Sequence, residues 1–280
     1  MIKTTLLTGL ALIFAGNTVL AEESWIVSGF NMPESVIFDA SRNRIILSTI
    51  IGNPSEADGK GNIVLLSPDG DVIDAAWATG LDAPKGMAIL GDILLVADLT
   101  RLHEIDLATG EIRRSLDVPD AVFLNDITSD NETAYITDML ADTIWRYSDD
   151  VLEPWLSDPM LSHPNGIFLD NDRLIVGSWG AGLREDFTTE VPGSLLSVAL
   201  DTKEISVIAS EVGNLDGITR INDTIIVSDW VSGALFSVDS SGNAHKLAQL
   251  EQGLADISSQ NSTLYMPMMF QGTLKLQQLP

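Results

Sequence analysis

The 280-residue chain contains no cysteine. Disulfides and lipid attachment through an N-terminal thiol are therefore excluded. Basic residues are scarce: 15 Lys and Arg stand against 40 Asp and Glu, for a net charge of −25. That balance argues against nucleic acid and anionic membrane surfaces as partners, and it favours cations. Only three histidines are present, at 103, 163 and 245, and they do not cluster, so a zinc site lacks its usual ligands. Sustained helical periodicity, a glycine-rich phosphate loop, a nucleophilic serine motif and a zinc helix are all missing. Long apolar runs are missing too, except at the start of the chain.

That start reads as an address. Lys3 supplies a positive charge, Thr4 to Gly16 is apolar and Val19-Leu20-Ala21 is a small-residue cleavage pattern before Glu22-Glu23. Residues 1–21 are expected to be a secretory signal peptide, since the run is shorter than the ~20 residues a spanning helix needs. Residues 22–280 are then expected to form one domain, periplasmic or secreted and monomeric, with no membrane contact after cleavage.

One short phrase occurs six times. Its copies are Pro33-Glu34-Ser35-Val36, Pro84-Lys85-Gly86-Met87, Leu124-Asn125-Asp126-Ile127, Pro164-Asn165-Gly166-Ile167, Leu215-Asp216-Gly217-Ile218 and Leu254-Ala255-Asp256-Ile257. They are spaced by 51, 40, 40, 51 and 39 residues, a period that marks a repeat architecture. Each phrase opens a first strand. A second, aliphatic or β-branched run follows, as in Ile45-Ile46-Leu47-Ser48 and Thr224-Ile225-Ile226-Val227. A third strand alternates, as in Thr143-Ile144-Trp145-Arg146-Tyr147, and a fourth, less regular stretch leads to the next phrase. Four strands per unit and six units predict an all-β, six-bladed β-propeller with four-stranded blades.

The chain ends too early to complete the sixth blade, and Ser24-Trp25-Ile26-Val27 is a spare strand before the first phrase. This segment is expected to close the ring, which removes an open sheet edge. The two longer spacings place insertions at Ile51 to Gly61 and near Gly180 to Gly193. Both follow a second strand, so both are expected on one rim.

In a propeller the first strand of each blade lines the central channel. The second phrase positions, Glu34, Lys85, Asn125, Asn165, Asp216 and Ala255, should then form a ring at one channel mouth. Glu34, Asn165 and Asp216 offer two carboxylates and an amide oxygen. An oxygen-only set suits a hard divalent cation, Ca²⁺ first and then Mg²⁺ or Mn²⁺.

These residues carry a resemblance to the gluconolactonase/regucalcin (senescence-marker-protein) family of six-bladed propellers. Glu34, Phe38 and Asp39 match its first motif, with Ser35 and Val36 in place of Gly-Pro. Asn125-Asp126, Asn165-Gly166-Ile167 and Asp216-Gly217-Ile218 match three further motifs. The resemblance implies metal ligation by Glu34, Asn165 and Asp216, with Asn125 at the substrate or a metal-bound water. It also implies hydrolysis of a sugar lactone or similar cyclic ester. Asp216 is expected to serve as general base beside Asn125. Many family members carry an arginine two residues before the Asn-Asp pair. Phe123 stands there in this chain, which points to a less polar substrate. Lys85 and His163 are further candidates for substrate contact.

The alternative reading is a non-catalytic exported propeller that binds a ligand or protein at the same mouth; a strictosidine-synthase-like or paraoxonase-like enzyme is a third. His103 and His245 read as surface residues. Asp98, Asp138 and Asp229, each ending a second strand, read as turn or inter-blade hydrogen-bonding residues. Trp179 and Trp230 end second strands and could face a ligand.

Overall fold

Short aliphatic runs separated by polar turns pair with their sequence neighbours, and here they do so as six up-and-down meanders. The computed structural model describes residues 24–130 and 132–279. Of the first 23 residues it describes only the backbone of three short strands, Lys3–Thr4, Ala11–Phe14 and Asn17–Leu20. The expected leader thus lies largely outside the described residues. Among the described residues no helix is long and apolar enough to cross a membrane.

The fold is the expected six-bladed propeller of antiparallel four-stranded blades. The inner strands are Pro33–Asp39, Pro84–Leu90, Leu124–Ser129, Pro164–Asp170, Leu215–Ile221 and Ser258–Gln260. Each touches the inner strands of both neighbouring blades, so together they enclose an axis. The outer strands, such as Val72–Leu81, face solvent along most of their length.

The core lies between blades. In Arg44–Thr49 the period of two sends alternate side chains to opposite faces. Ile45 and Leu47 pack against Tyr265, Leu274 and Leu276 of the sixth blade. Ile46 packs the other way, with Met87, Leu94 and Val96 of the second. All three are fully buried, which is why second strands read as continuous apolar runs.

The ring closes as expected. Ser24–Ser28 pairs antiparallel with Thr273–Gln278, in a register that sets Val27 opposite Leu274 and Trp25 opposite Leu276. Lys3–Thr4 adds outside it. Val27 is buried in the seam between the first and last blades. Every blade carries a register shift at its phrase, for example between Pro33 and Val36, between Leu215 and Ile218 and, in the last blade, between the Leu254–Met268 bridge and the Ser258–Tyr265 pair. A bulge releases residues from the ladder and re-aims their side chains. The phrase is therefore a bulge, and its second residue is the one turned to the channel mouth.

Two of the three strand-ending aspartates latch the loop that precedes a phrase. Asp98 accepts from the backbone N–H groups of Asp82 and Ala83 at 2.7 and 2.6 Å. Asp138 accepts from Val122 and Phe123 at 3.0 and 2.8 Å. Asp229 instead caps its own turn through Ser232. His103 corrects the surface reading: it is 2% exposed, with Nε2 3.1 Å from Asp98 and Nδ1 2.8 Å from Ser115 Oγ. Its strand, Arg101–Asp106, is buried on both faces at its centre, and the face that carries His103 meets the latch. His245 is exposed, as expected.

Deletion of residues 24–28 removes both the closing ladder and the Val27 contacts. The thermal midpoint is expected to fall by more than about 10 °C, the equivalent of several kcal/mol in a domain of this size. An unchanged midpoint in calorimetry would refute closure through this strand.

Candidate functional site

A bulged backbone leaves amides without ladder partners, and here second-strand hydroxyls take them up. Ser48 Oγ accepts from the Ser35 amide at 2.9 Å, Thr137 Oγ1 from Asp126 at 3.0 Å and Ser228 Oγ from Gly217 at 2.8 Å. Two of these hydroxyls also donate across to the next blade's phrase. Thr137 reaches the Asn165 carbonyl at 2.7 Å and Ser228 the Ala255 carbonyl at 2.9 Å. Neighbouring phrases are thus tied together by their backbones, which fixes the ring positions. Glycine at the third position follows from the same crowding: a Cβ at Gly166 would stand 1.6 Å from the Asp216 carbonyl oxygen.

The ring side chains converge as the repeat predicts. Glu34, Lys85, Asn125, Asn165 and Asp216 all line one cavity of about 110 Å³ at the channel mouth. Each is 6% exposed or less. Ala255, the sixth position, is buried and contributes no polar group. Phe123 lines the same cavity, and the Lys85 ammonium sits 4.6 Å above its ring centroid. Both insertions reach the mouth: the first supplies Pro54 and Ser55, the second Phe187. Trp179, Trp230, Met139 and Met269 complete the wall. His163 is not among the lining residues; its Nδ1 lies 2.9 Å from the Gly180 carbonyl oxygen.

The electrostatics are unbalanced. Glu34 Oε2, Asn125 Oδ1, Asn165 Oδ1 and Asp216 Oδ1 are buried acceptors with no hydrogen-bond partner. Lys85 does not supply one: it donates to the Pro54 carbonyl at 3.3 Å instead. Burial pushes Glu34 up to about 8, with Lys85 opposing and Asp256 adding to the rise. Burial, then the charges of Glu34 and Asp256, raise Asp216 well above the ordinary carboxylate range. Burial draws the Lys85 ammonium down, against the pull of Glu34 and the aspartates around it.

A second layer lies one residue further along the phrase. Asp126 is 2% exposed and its Oδ1 has no partner. Asp256 accepts from Ser35 Oγ at 2.5 Å, and burial brings it up to about 7. The sequence reading passed over this layer, although its signal, Ser, Gly, Asp, Gly, Gly, Asp at the third phrase position, was present. The methionines and the lining insertion residues carried no such signal, because nothing in the repeat aligns them.

Four orphaned oxygens around one cavity fit an oxygen-ligated cation. Among the described residues no three His, Cys, Asp or Glu side chains gather as a metal cluster. Any cation here therefore relies on two carboxylates and on amide oxygens, a hard set that suits Ca²⁺ better than zinc.

The sequence matches no protein-family model and no curated protein. Solved structures share its fold. A gluconolactonase from Xanthomonas campestris superimposes with a TM-score of 0.72 at 15% identity, covering 99% of this chain and 96% of that one. A catalytically inactive virginiamycin B lyase from Staphylococcus aureus, determined with quinupristin, gives 0.61 at 15% identity over 92% and 99% of the two chains. A chain of the nidogen/laminin complex gives 0.58 at 14% identity over 84% and 83%. The protein is thus a six-bladed propeller, an architecture it shares with gluconolactonase structures. At these identities the likeness is one of fold, which by itself fixes no activity.

The imbalance sets a pH dependence. An acid raised from 4.5 to about 8, as Glu34 is, holds its proton more tightly in the folded chain. It stabilises the fold fully below its unfolded pKa, and that contribution is lost as pH rises through the folded value. With chelator present, the thermal midpoint is expected to fall between about pH 5 and about pH 8. Millimolar Ca²⁺ should raise the midpoint more at the upper end of that range than at the lower. A Ca²⁺ effect that is absent, or larger in acid, would contradict cation binding at these carboxylates.

Proposed function

We propose that the protein is an exported, metal-dependent hydrolase that opens a lactone or similar cyclic ester at this mouth. The observation that carries the reading is the set of four unpartnered oxygens, contributed by four blades to one cavity. Glu34, Asn165 and Asp216 would hold a divalent cation, with Ca²⁺ the best match to their oxygens. Such a cation supplies Lewis-acid polarisation of a bound carbonyl and favours ionised Asp216. The expected leader places the enzyme in a periplasm or outside the cell, acting as a monomer on a small molecule.

The chain's own groups then divide the work. Asn125 donates from its amide nitrogen to Met139 Sδ at 3.8 Å, leaving Oδ1 toward the cavity to orient substrate or water. The Asp216 carboxylate accepts a proton from water as that water's oxygen bonds to the carbonyl carbon. Lys85, with ammonium protons beyond the one given to Pro54, donates to the oxygen on which negative charge develops. The acyl carbon–oxygen bond then breaks, and the ring oxygen leaves as a hydroxyl after taking the proton held by Asp216. The product is the open hydroxy acid. Glu34 would serve as the second anionic ligand of the cation, and Phe123 holds the Lys85 ammonium by its ring face.

The second reading, a non-catalytic binding propeller, draws on Lys85. An ammonium in the channel can neutralise carboxylates that a cation would otherwise require. A panel of lactones assayed with Ca²⁺ and after chelation separates the two. Hydrolysis is expected only with the cation, and Asp216→Ala should lower kcat/KM by more than about 100-fold while abolishing Ca²⁺ binding. Full activity in that variant, or hydrolysis indifferent to chelation, would sink the scheme.

A further inference from the structure

The site is polar chiefly at its base. Above the ring of Glu34, Lys85, Asn125, Asn165 and Asp216, the polar side-chain groups of the lining are the Ser55 hydroxyl and the indole N–H groups of Trp179 and Trp230, the first of which is given to Phe187. The rest of the wall is aromatic, methionine and proline. A polyhydroxylated lactone would press its hydroxyls against that wall with few partners. A buried hydroxyl left unpaired costs about 1–3 kcal/mol in proteins, so each one weighs against such a substrate.

The wall also has a direction. Trp179, 4% exposed, donates Nε1–H to the Phe187 carbonyl at 2.8 Å, which leaves its ring faces apolar toward the cavity. Trp230 leans on Trp179 with ring centroids 5.9 Å apart. Phe270 meets Trp230 edge-on at 5.1 Å and is 55% exposed. These three rings form a ladder from the buried cavity to open solvent. Trp230 and Phe270 lie in the loops that follow second strands, on the rim where the phrases begin. The cavity opens to solvent beside Trp230, so a substituent on a ring seated at the base can extend along this ladder.

We infer that the substrate is a lactone with an apolar alkyl or aryl substituent, its ring seated over the polar base and its tail laid along Trp179, Trp230 and Phe270. This inference rests on the lactone-opening reading and names its substrate class. Lys85 fits the same assignment. It addresses the carbonyl oxygen at the base, and the apolar wall offers no second cation for an anionic substituent higher up.

The test compares two homologous series that differ only in the length of an n-alkyl tail: δ-valerolactams, which resist hydrolysis, and the matching δ-valerolactones. In calorimetric titration of the Ca²⁺-loaded protein, lactam Kd is expected to fall about two- to fourfold per methylene over the first few carbons. Trp230→Ala and Phe270→Ser should flatten that slope; Phe270 is exposed, so its variant is expected to keep the parent thermal midpoint. Binding that ignores tail length, a gluconolactam bound more tightly than every alkyl lactam, or no lactam binding at all would overturn the inference. The lactone series keeps it separable from the reading beneath it. Tail-dependent lactam binding with no lactone opened would support the apolar tail and remove the hydrolase. Lactones opened at a kcat/KM independent of tail would support the hydrolase and remove the tail.

Discussion

Four carboxylates, Glu34, Asp126, Asp216 and Asp256, crowd the propeller axis with one ammonium, Lys85, among them. All but Asp256 are nearly out of reach of water. Four acceptor oxygens in the mouth cavity make no hydrogen bond. At about 1–3 kcal/mol for each unsatisfied buried group, that penalty approaches the whole stability of an ordinary domain. The remaining architecture can be understood as what holds these groups together against that cost. Inner strands form a closed ring, hydroxyls tie adjacent phrases, and aspartate latches pin the loops before them.

The fold was legible because its signals are periodic. The six phrases, the aliphatic second strands and the spare strand at Ser24–Ser28 each stand where their sequence positions place them. The ring of the site was legible for the same reason: a bulge at one register position in successive blades brings Glu34, Lys85, Asn125, Asn165 and Asp216 together whatever their separation in the chain. Features that depend on the reach of a single side chain were not. His103 turns inward onto Asp98 and Ser115, and no pattern announces that pairing. The contact between Lys85 and Phe123 spans two blades and joins residues that the sequence offers separately, one as a candidate substrate contact and the other in the place of an arginine. His163, close to Asn165 in sequence, turns to the Gly180 carbonyl instead of the cavity.

The Lys85–Phe123 contact also alters the meaning of Phe123. Read along the chain, Phe123 removes a positive charge from the mouth. In the folded protein its ring seats a positive charge delivered from the neighbouring blade. The site therefore keeps a cation at its base while losing polarity at its wall. That division suits a substrate with one reacting carbonyl and an apolar remainder, and it sets this mouth apart from one built to bind a ring of hydroxyls.

The central claim is that the orphaned oxygens exist to hold a divalent cation. A crystal structure of the protein equilibrated with Ca²⁺ tests it most directly. The account predicts one cation bonded to Glu34, Asn165 and Asp216 at about 2.3–2.6 Å, with Lys85 still resting on Phe123. A mouth without a cation, in which the Lys85 ammonium has moved off Phe123 to pair with Glu34 and Asp216, would contradict it.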